Sequence, residues 1–188
     1  MSPRDRSSRV KINAAGQASF FMALTAILPG RTDALREHLE ALPPGPESPL
    51  AKLEQVHFGR WVIVSGLVYF GPPQKQEDLK NDYLLFVANV DAPLERFIDA
   101  MRERMAGETD AVWGHCVGYP GTGDREAFLR YMRHNQIDAL LPFAQYQATV
   151  PEVRDALALR DQLIEFAIRA QELDGTDLQE AYRQEFAS

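Results

Sequence analysis

Titratable and aromatic side chains cluster at two places, in runs of residues that otherwise indicate buried strands. The first cluster is His57-Phe58-Gly59-Arg60-Trp61, which leads into Val62-Ile63-Val64. The second is Trp113-Gly114-His115-Cys116, which leads into Val117-Gly118-Tyr119-Pro120. An imidazole or a guanidinium that is buried without a partner loses its hydration at a large energetic cost. We therefore expect these groups to be paired or to face a cavity, and both clusters are candidate sites.

The histidines of the two clusters are the candidate catalytic residues. Neutral imidazole serves both as a general base and as an axial ligand of haem, so His115 and His57 carry the catalytic hypothesis. The alternative for His115 is a structural hydrogen bond to the backbone at a strand end. The alternative for His57 is a partly exposed residue at the start of its strand.

Five further side chains are candidate ligand-binding groups. Arg60 could hold a carboxylate or a phosphate through two hydrogen bonds, and its alternative is an ion pair with one of the 27 acidic residues. Asn89 would add a polar contact. The aromatic residues could stack on a planar ligand, although aromatic side chains in strands more often fill the core; these residues are Trp61, Trp113 and Tyr119.

Side chains alternate between the two faces of a strand, and this alternation separates the candidates. His57 is expected on the face of Trp61, with Arg60 on the other face. His115 and Cys116 are sequence neighbours, so they are expected to point apart. A cysteine nucleophile needs a base on its own side. We therefore interpret Cys116 as a small buried hydrophobic residue.

Composition excludes several classes of function. The net charge of −7 argues against general nucleic-acid binding and against docking on an anionic membrane surface. A single cysteine allows no intrachain disulfide, which favours a reducing, cytoplasmic location. No apolar run reaches the length of a membrane span. The spacing of the histidines and the cysteine matches no zinc motif, so no metal is predicted.

The pattern of apolar residues predicts an α+β fold. Four strands and two helices are expected, in the order strand, helix, strand, strand, helix, strand; the strands are 18–28, 56–70, 82–90 and 110–119, and the helices are 31–42 and 91–105, the latter capped by Asp91. This order is the ferredoxin-like βαββαβ unit with an antiparallel sheet. Its second and fourth strands are edges, which would place His57 and His115 roughly 10–15 Å apart.

Additional C-terminal helices follow the predicted sheet. Helical patterns begin at Asp124, at Thr149 and at Thr176, each with a capping residue. We predict a disordered tail at 1–17, one domain at 18–173 with a C-terminal helical extension, and a short terminal helix at 174–188.

Four segments carry a resemblance to known proteins: His57 to Val62, Leu84 to Asp91, Trp113 to Pro120, and 153–163. With them the chain resembles the dimeric α+β barrel superfamily, and within it an uncharacterised bacterial family sometimes found beside or fused to dye-decolourising-type peroxidases. The resemblance implies a homodimer whose open sheet faces enclose a cavity, and a link to haem. The sequence has no Gly-x-x-Asp-Gly motif of those peroxidases, so no peroxidase residue is carried over.

Two functions are compatible with these observations. The first is a small-molecule-binding or catalytic α+β barrel that acts on a small, partly aromatic ligand through Arg60, Asn89 and His115, with haem or peroxide chemistry as one version. The second is a non-catalytic accessory or protein-interaction module, in which helices cover the open sheet face and a partner or a second copy is bound.

Overall fold

A computed structural model describes residues 14–15, 18–75, 78–91, 93–138 and 148–186. The tail predicted at 1–17 lies outside the described residues, apart from Ala14 and Ala15. The chain divides into two compact units, Met1–Val150 and Pro151–Ser188. The sequence-based domain bounds, with one domain over 18–173, stay a prediction.

The first unit is built on an antiparallel sheet, which confirms the α+β class. Three strands have nine residues each: β2 (Ala18–Ala26), β3 (Val56–Val64) and β4 (Tyr83–Asp91). The two-residue strand β1 (Ala14–Ala15) pairs with the start of β2, and the strand order is β1-β2-β4-β3. The central strand β4 therefore lies between the first and second predicted strands, as the ferredoxin-like order requires.

Both units contain helices. In the first unit they are α1 (Thr32–Ala41), α2 (Leu94–Arg104), α3 (Ala106–Trp113) and α4 (Arg125–His134), with short 3-10 helices at Gly45–Glu47 and Pro49–Lys52. Helix α5 (Val150–Ala170) begins at the last residue of the first unit, and α6 (Gly175–Phe186) belongs to the second. Local sequence explains these limits: Asp124 accepts hydrogen bonds from the first turn of α4, and Pro43 follows α1.

One face of the sheet forms the core of the first unit. Alternate residues of β4, from Leu84 to Val90, are fully buried, as is Phe21 on β2. The ring of Phe86 lies at the centre, with ring centroids 5.3 Å from both Trp61 and Trp113. Helices α2 and α4 add further aromatic and methionine side chains to this core: Phe97, Met101, Phe128, Tyr131 and Met132.

The predicted fourth strand is wrong for most of its length. Residues 106–113 form α3, because Thr109, Val112 and Trp113 are buried with the spacing of a helix. Only Cys116 pairs with the sheet, in an isolated antiparallel bridge to Ile27. The chain then turns away at Gly118, whose φ is 71°. The complete βαββαβ order is therefore not formed within the described residues.

Gly114, the residue after Trp113, lies where the backbone at the end of α3 leaves little room for a side chain. A Cβ atom at Gly114 would lie 2.5 Å from the backbone oxygen of Asp110, whereas Gly107 in the same helix has open space. We expect Gly114→Ala to lower the free energy of unfolding by about 1–3 kcal/mol. We expect Gly107→Ala to raise it by about 0.5–1 kcal/mol, since alanine favours helix. Urea unfolding of both variants measures the difference, and equal midpoints would contradict this account.

Candidate functional site

A β-bulge interrupts the register of the edge strand at His57. Val56 pairs with Val90 and Phe58 pairs with Asn89, so two steps along β3 correspond to one step along β4. His57 is the extra residue. Bulges redirect side chains and are frequent next to functional sites. Alternation counted along the sequence therefore fails at this position.

The bulge places His57 on the face of the sheet opposite the core. Its Nε2 atom lies 2.7 Å from Oδ1 of Asp91. Asp91 is two residues beyond Asn89 on β4, so both share one face, while Val90 between them is buried in the core. The prediction that His57 shares the face of Trp61 is therefore wrong, and the extra residue is the reason.

Asp91 fixes the orientation and the tautomer of the His57 ring. Its second oxygen, Oδ2, accepts a hydrogen bond of 2.6 Å from the N–H of Val150. A carboxylate oxygen accepts, so the Nε2 atom of His57 donates, and in the neutral form of the ring the lone pair lies on Nδ1. The exposed fractions of the His57 and Asp91 side chains are 15% and 13%. This is the arrangement in which a carboxylate orients a histidine base.

Asp91 is a site residue that the sequence did not reveal. The pattern predicts it as the cap of the second helix, but it is the last residue of β4, and α2 begins at Leu94 after Pro93. The signal was its position two residues after Asn89 in an otherwise apolar strand, which extends the polar end of one face.

Arg60 and Asn89 lie on the same face as the His57–Asp91 pair. Arg60 pairs with Val87, and Phe58 pairs with Asn89. Arg60 and Asn89 are thus diagonal neighbours, about 7–8 Å apart. The structure therefore brings four polar side chains to one end of one face, and we call them the polar cluster: His57, Arg60, Asn89 and Asp91.

The rest of this face is mainly apolar. We call the whole face, with the polar cluster at one end, the second face. Phe20 is buried, and the other side chains beside the polar cluster are at least partly exposed; the apolar residues are Phe20, Met22, Leu24, Phe58, Val62, Val64, Leu85 and Val87, and Tyr83 and Ala26 pair at the far end. Phe20 and Phe58 pair with Asn89 from either side. The polar cluster is therefore bordered by two phenylalanine side chains.

His115 lies at the other end of the sheet from His57. Asp91 pairs with Ala18 at the start of β2, and Cys116 pairs with Ile27 just after its end. Nine residue steps separate Ala18 from Ile27, which corresponds to roughly 30 Å along an extended strand. The predicted separation of 10–15 Å is therefore wrong, since the two histidines occupy opposite ends of the strands.

A hydrogen bond from Arg31 determines which nitrogen of His115 accepts and which one donates. The Nε atom of Arg31 donates to its Nδ1 atom at 3.3 Å. Burial, followed by the charges of Arg31 and His38, lowers the pKa of His115 below its ordinary value of 6.5. The neutral ring thus uses its lone pair on Arg31 and carries its hydrogen on Nε2. A general base or a haem ligand needs that lone pair, so this geometry disfavours both roles.

Tyr119 does not lie on the second face, and its hydroxyl group is hydrogen-bonded to a side chain of α3. Its hydroxyl donates to Oδ1 of Asp110 at 2.7 Å, and the same carboxylate accepts from the backbone and the hydroxyl of Thr122. Burial and Asp110 raise the pKa of Tyr119. The indoles of Trp61 and Trp113 contact each other and Phe86 in the core. The three aromatic candidates are therefore packing residues in this arrangement.

No family model, no curated protein and no solved structure matches the chain. The resemblance to the dimeric α+β barrel superfamily therefore stays a prediction. Among the described residues there is no group of three or more His, Cys, Asp or Glu side chains that could hold a metal ion. In the same residues, no helix has the length and apolarity to cross a membrane.

The lowered pKa of His115 predicts a pH dependence of stability. A histidine whose folded pKa lies below 6.5 stabilises the fold fully above that pH, and the contribution is lost as the pH falls towards the folded value. We expect His115→Gln to lose less stability than the wild type between pH 7.5 and pH 5. Urea midpoints at several pH values measure this. Parallel stability curves for the wild type and His115→Gln would contradict the prediction.

Cys116 is expected to be unreactive in the folded protein. Its side chain is 3% exposed, its sulfur accepts a hydrogen bond from Thr25, and burial raises its pKa to about 11. Because the thiolate is the reactive form, a disulfide reagent at pH 8 should modify one thiol per chain only after a denaturant is added. Rapid modification of the native protein would show that Cys116 is accessible.

Proposed function

We propose that this protein binds a small, partly aromatic anion at the polar cluster on the second face of its sheet. The observation that carries the proposal is the bulge, because it brings the His57–Asp91 pair beside Arg60 and Asn89. Ligand sites commonly combine an apolar surface with a few convergent polar groups. This end of the sheet has that composition.

Arg60 supplies the positive charge for an anion. It is exposed, and within the described part of the chain it forms no ion pair or hydrogen bond. A guanidinium can hold a carboxylate or a phosphate through two parallel hydrogen bonds. Both oxygens of Asp91 already accept hydrogen bonds, from His57 and from Val150. Asp91 is therefore committed to positioning, and Arg60 is the charged group that remains for the ligand.

The aromatic part of the ligand would contact the phenylalanines that border Asn89. Phe58 is 51% exposed and lies on the edge strand, so its ring is accessible to a planar molecule. Phe20 lies on the other side of Asn89 and is largely buried, which provides a fixed apolar wall. Asn89 between them can both donate and accept a hydrogen bond.

In a catalytic version of this proposal, His57 removes a proton from the bound molecule. Asp91, whose Oδ1 atom lies 2.7 Å from Nε2 of His57, would stabilise the imidazolium that forms. His57 then has the role for which His115 was the first candidate, while Asp91 positions it.

Haem does not fit the two candidate histidines in this arrangement. The Nε2 atom of His57 donates to Asp91, and the Nδ1 atom of His115 accepts from Arg31. The haem-linked version therefore has support from the resemblance alone, and we do not derive a step through haem.

An aromatic carboxylate tests the binding proposal directly. We expect 2-naphthoate to bind the wild-type protein in isothermal titration calorimetry, and we expect Arg60→Gln to weaken binding about fivefold, equivalent to about 1 kcal/mol for an accessible ion pair. Arg36→Gln removes an exposed arginine from α1 and should leave binding unchanged.

The neutral analogue 2-naphthol provides the second arm of this experiment. Its affinity should be the same for the wild type and for Arg60→Gln, because it has no charge for the guanidinium to hold. Equal loss of 2-naphthoate binding in the Arg60 and Arg36 variants, or no binding to the wild type, would contradict the proposal.

A second candidate function, the protein-interaction module, is favoured by a different observation. Four successive apolar residues, Leu67 to Phe70, are exposed beyond the end of β3. This segment is separate from the polar cluster.

A further inference from the structure

Asn89 places an amide on the central strand of the second face. It lies on β4, which pairs with β2 on one side and with β3 on the other. Its side chain is partly exposed and forms no hydrogen bond within the described part of the chain. Asparagine is depleted in strands, and an amide among apolar neighbours is unfavourable unless it has a partner. The amide of Asn89 is therefore suited to bind a polar group of a ligand.

Two neighbouring residue pairs of β3 and β4 place four side chains at the corners of a square on the second face. Phe58 pairs with Asn89, and Arg60 pairs with Val87. The two polar side chains, Arg60 and Asn89, occupy one diagonal of this square, about 7–8 Å long between backbones. The two apolar side chains, Phe58 and Val87, occupy the other diagonal. A ligand that fits this square has polar groups at its two ends and an apolar middle.

We propose that the ligand is an aromatic carboxylate with a hydroxyl group at the opposite end of its ring system, and that Asn89 determines this specificity. The inference rests on the proposed function and defines its ligand further. The guanidinium of Arg60 holds the carboxylate, and the amide of Asn89 bonds the hydroxyl. The ring between these ends lies over the other diagonal, where it contacts Val87 and the ring of Phe58, which is 51% exposed.

The surroundings of Asn89 favour a neutral group over a second anion. Asp91 lies two residues further along the same face of β4, roughly 7 Å away, and its carboxylate repels another negative charge. An aromatic hydroxyl has a pKa of about 10, as in tyrosine, so it is neutral at neutral pH. A hydroxyl also donates and accepts, as the amide does, and its hydrogen bonds to the amide oxygen.

The position of the hydroxyl on the ligand follows from the diagonal. Arg60 and Asn89 stand at opposite corners of the square, so a hydroxyl next to the carboxylate stays beside Arg60 and does not reach the amide. A hydroxyl at the far end of the ring system lies above Asn89. The square therefore distinguishes two isomers of one compound, 6-hydroxy-2-naphthoate and 3-hydroxy-2-naphthoate, in favour of the first.

Isothermal titration calorimetry with three naphthoates tests this inference. We expect 6-hydroxy-2-naphthoate to bind the wild type about fivefold more tightly than 2-naphthoate, because it gains one neutral hydrogen bond. We expect 3-hydroxy-2-naphthoate to show no such gain. Asn89→Leu removes the amide at similar size and should reduce the ratio of the first two dissociation constants from about five to about one. Asn81→Leu, at an exposed asparagine before β4, should keep the wild-type ratio.

The outcomes separate this inference from the proposed function. A preference for 6-hydroxy-2-naphthoate that is lost in Asn89→Leu but kept in Asn81→Leu supports it. If 2-naphthoate binding depends on Arg60 but the hydroxyl adds no affinity, this inference is overturned and the anion site stands. It is also overturned if both isomers gain equally or if Asn89→Leu keeps the preference.

A lack of binding by all three naphthoates would overturn the proposed function together with this inference. Far-UV circular dichroism shows whether Asn89→Leu remains folded. Asn89→Ala removes the same amide with a smaller side chain, and it decides the question if the leucine variant is misfolded.

Discussion

The hydrogen bond between His57 and Asp91 is the constraint on which the arrangement of the second face depends. It ties the edge strand β3 to the central strand β4 at the point where the bulge breaks the regular register. The same carboxylate also holds the N–H of Val150, which would otherwise lack a partner at the start of α5. Removing either member of a largely buried pair leaves the other uncompensated, so the two side chains must be considered as one unit.

One sheet carries two different surfaces because side chains alternate along its strands. The core face is filled by aromatic rings around Phe86, with the indoles of Trp61 and Trp113 packed against it. This rigid layer holds β3 and β4 in register and thereby sets the spacing of Arg60 and Asn89 on the second face. Trp61 and Trp113, which the sequence suggested as ligand-binding residues, thus support the polar cluster from the opposite side of the sheet.

The limits of sequence-based prediction follow from individual elements. The three long strands and α1 were predictable because apolar periodicity and the prolines after α1 mark them, but the second strand, predicted over 56–70, ends at Val64. The prediction of a fourth strand over 110–119 was wrong because this segment has apolar residues typical of a strand, although Thr109, Val112 and Trp113 are buried with helical spacing. The bulge has no residue signature, so neither the true face of His57 nor its bond to Asp91 could be predicted. The predicted distance between His57 and His115 was wrong for the same reason, because it placed His115 in that fourth strand.

The tautomer of His57 tests the central claim most directly. Long-range ¹H–¹⁵N correlation spectra of the histidine rings distinguish a ring with its hydrogen on Nε2 from one with its hydrogen on Nδ1. Our account predicts that neutral His57 carries its hydrogen on Nε2 in the wild type, because Asp91 accepts it. It also predicts that Asp91→Ala removes this preference while the spectrum of His115 stays unchanged. A His57 ring with its hydrogen on Nδ1, or one that is insensitive to Asp91→Ala, would contradict the account.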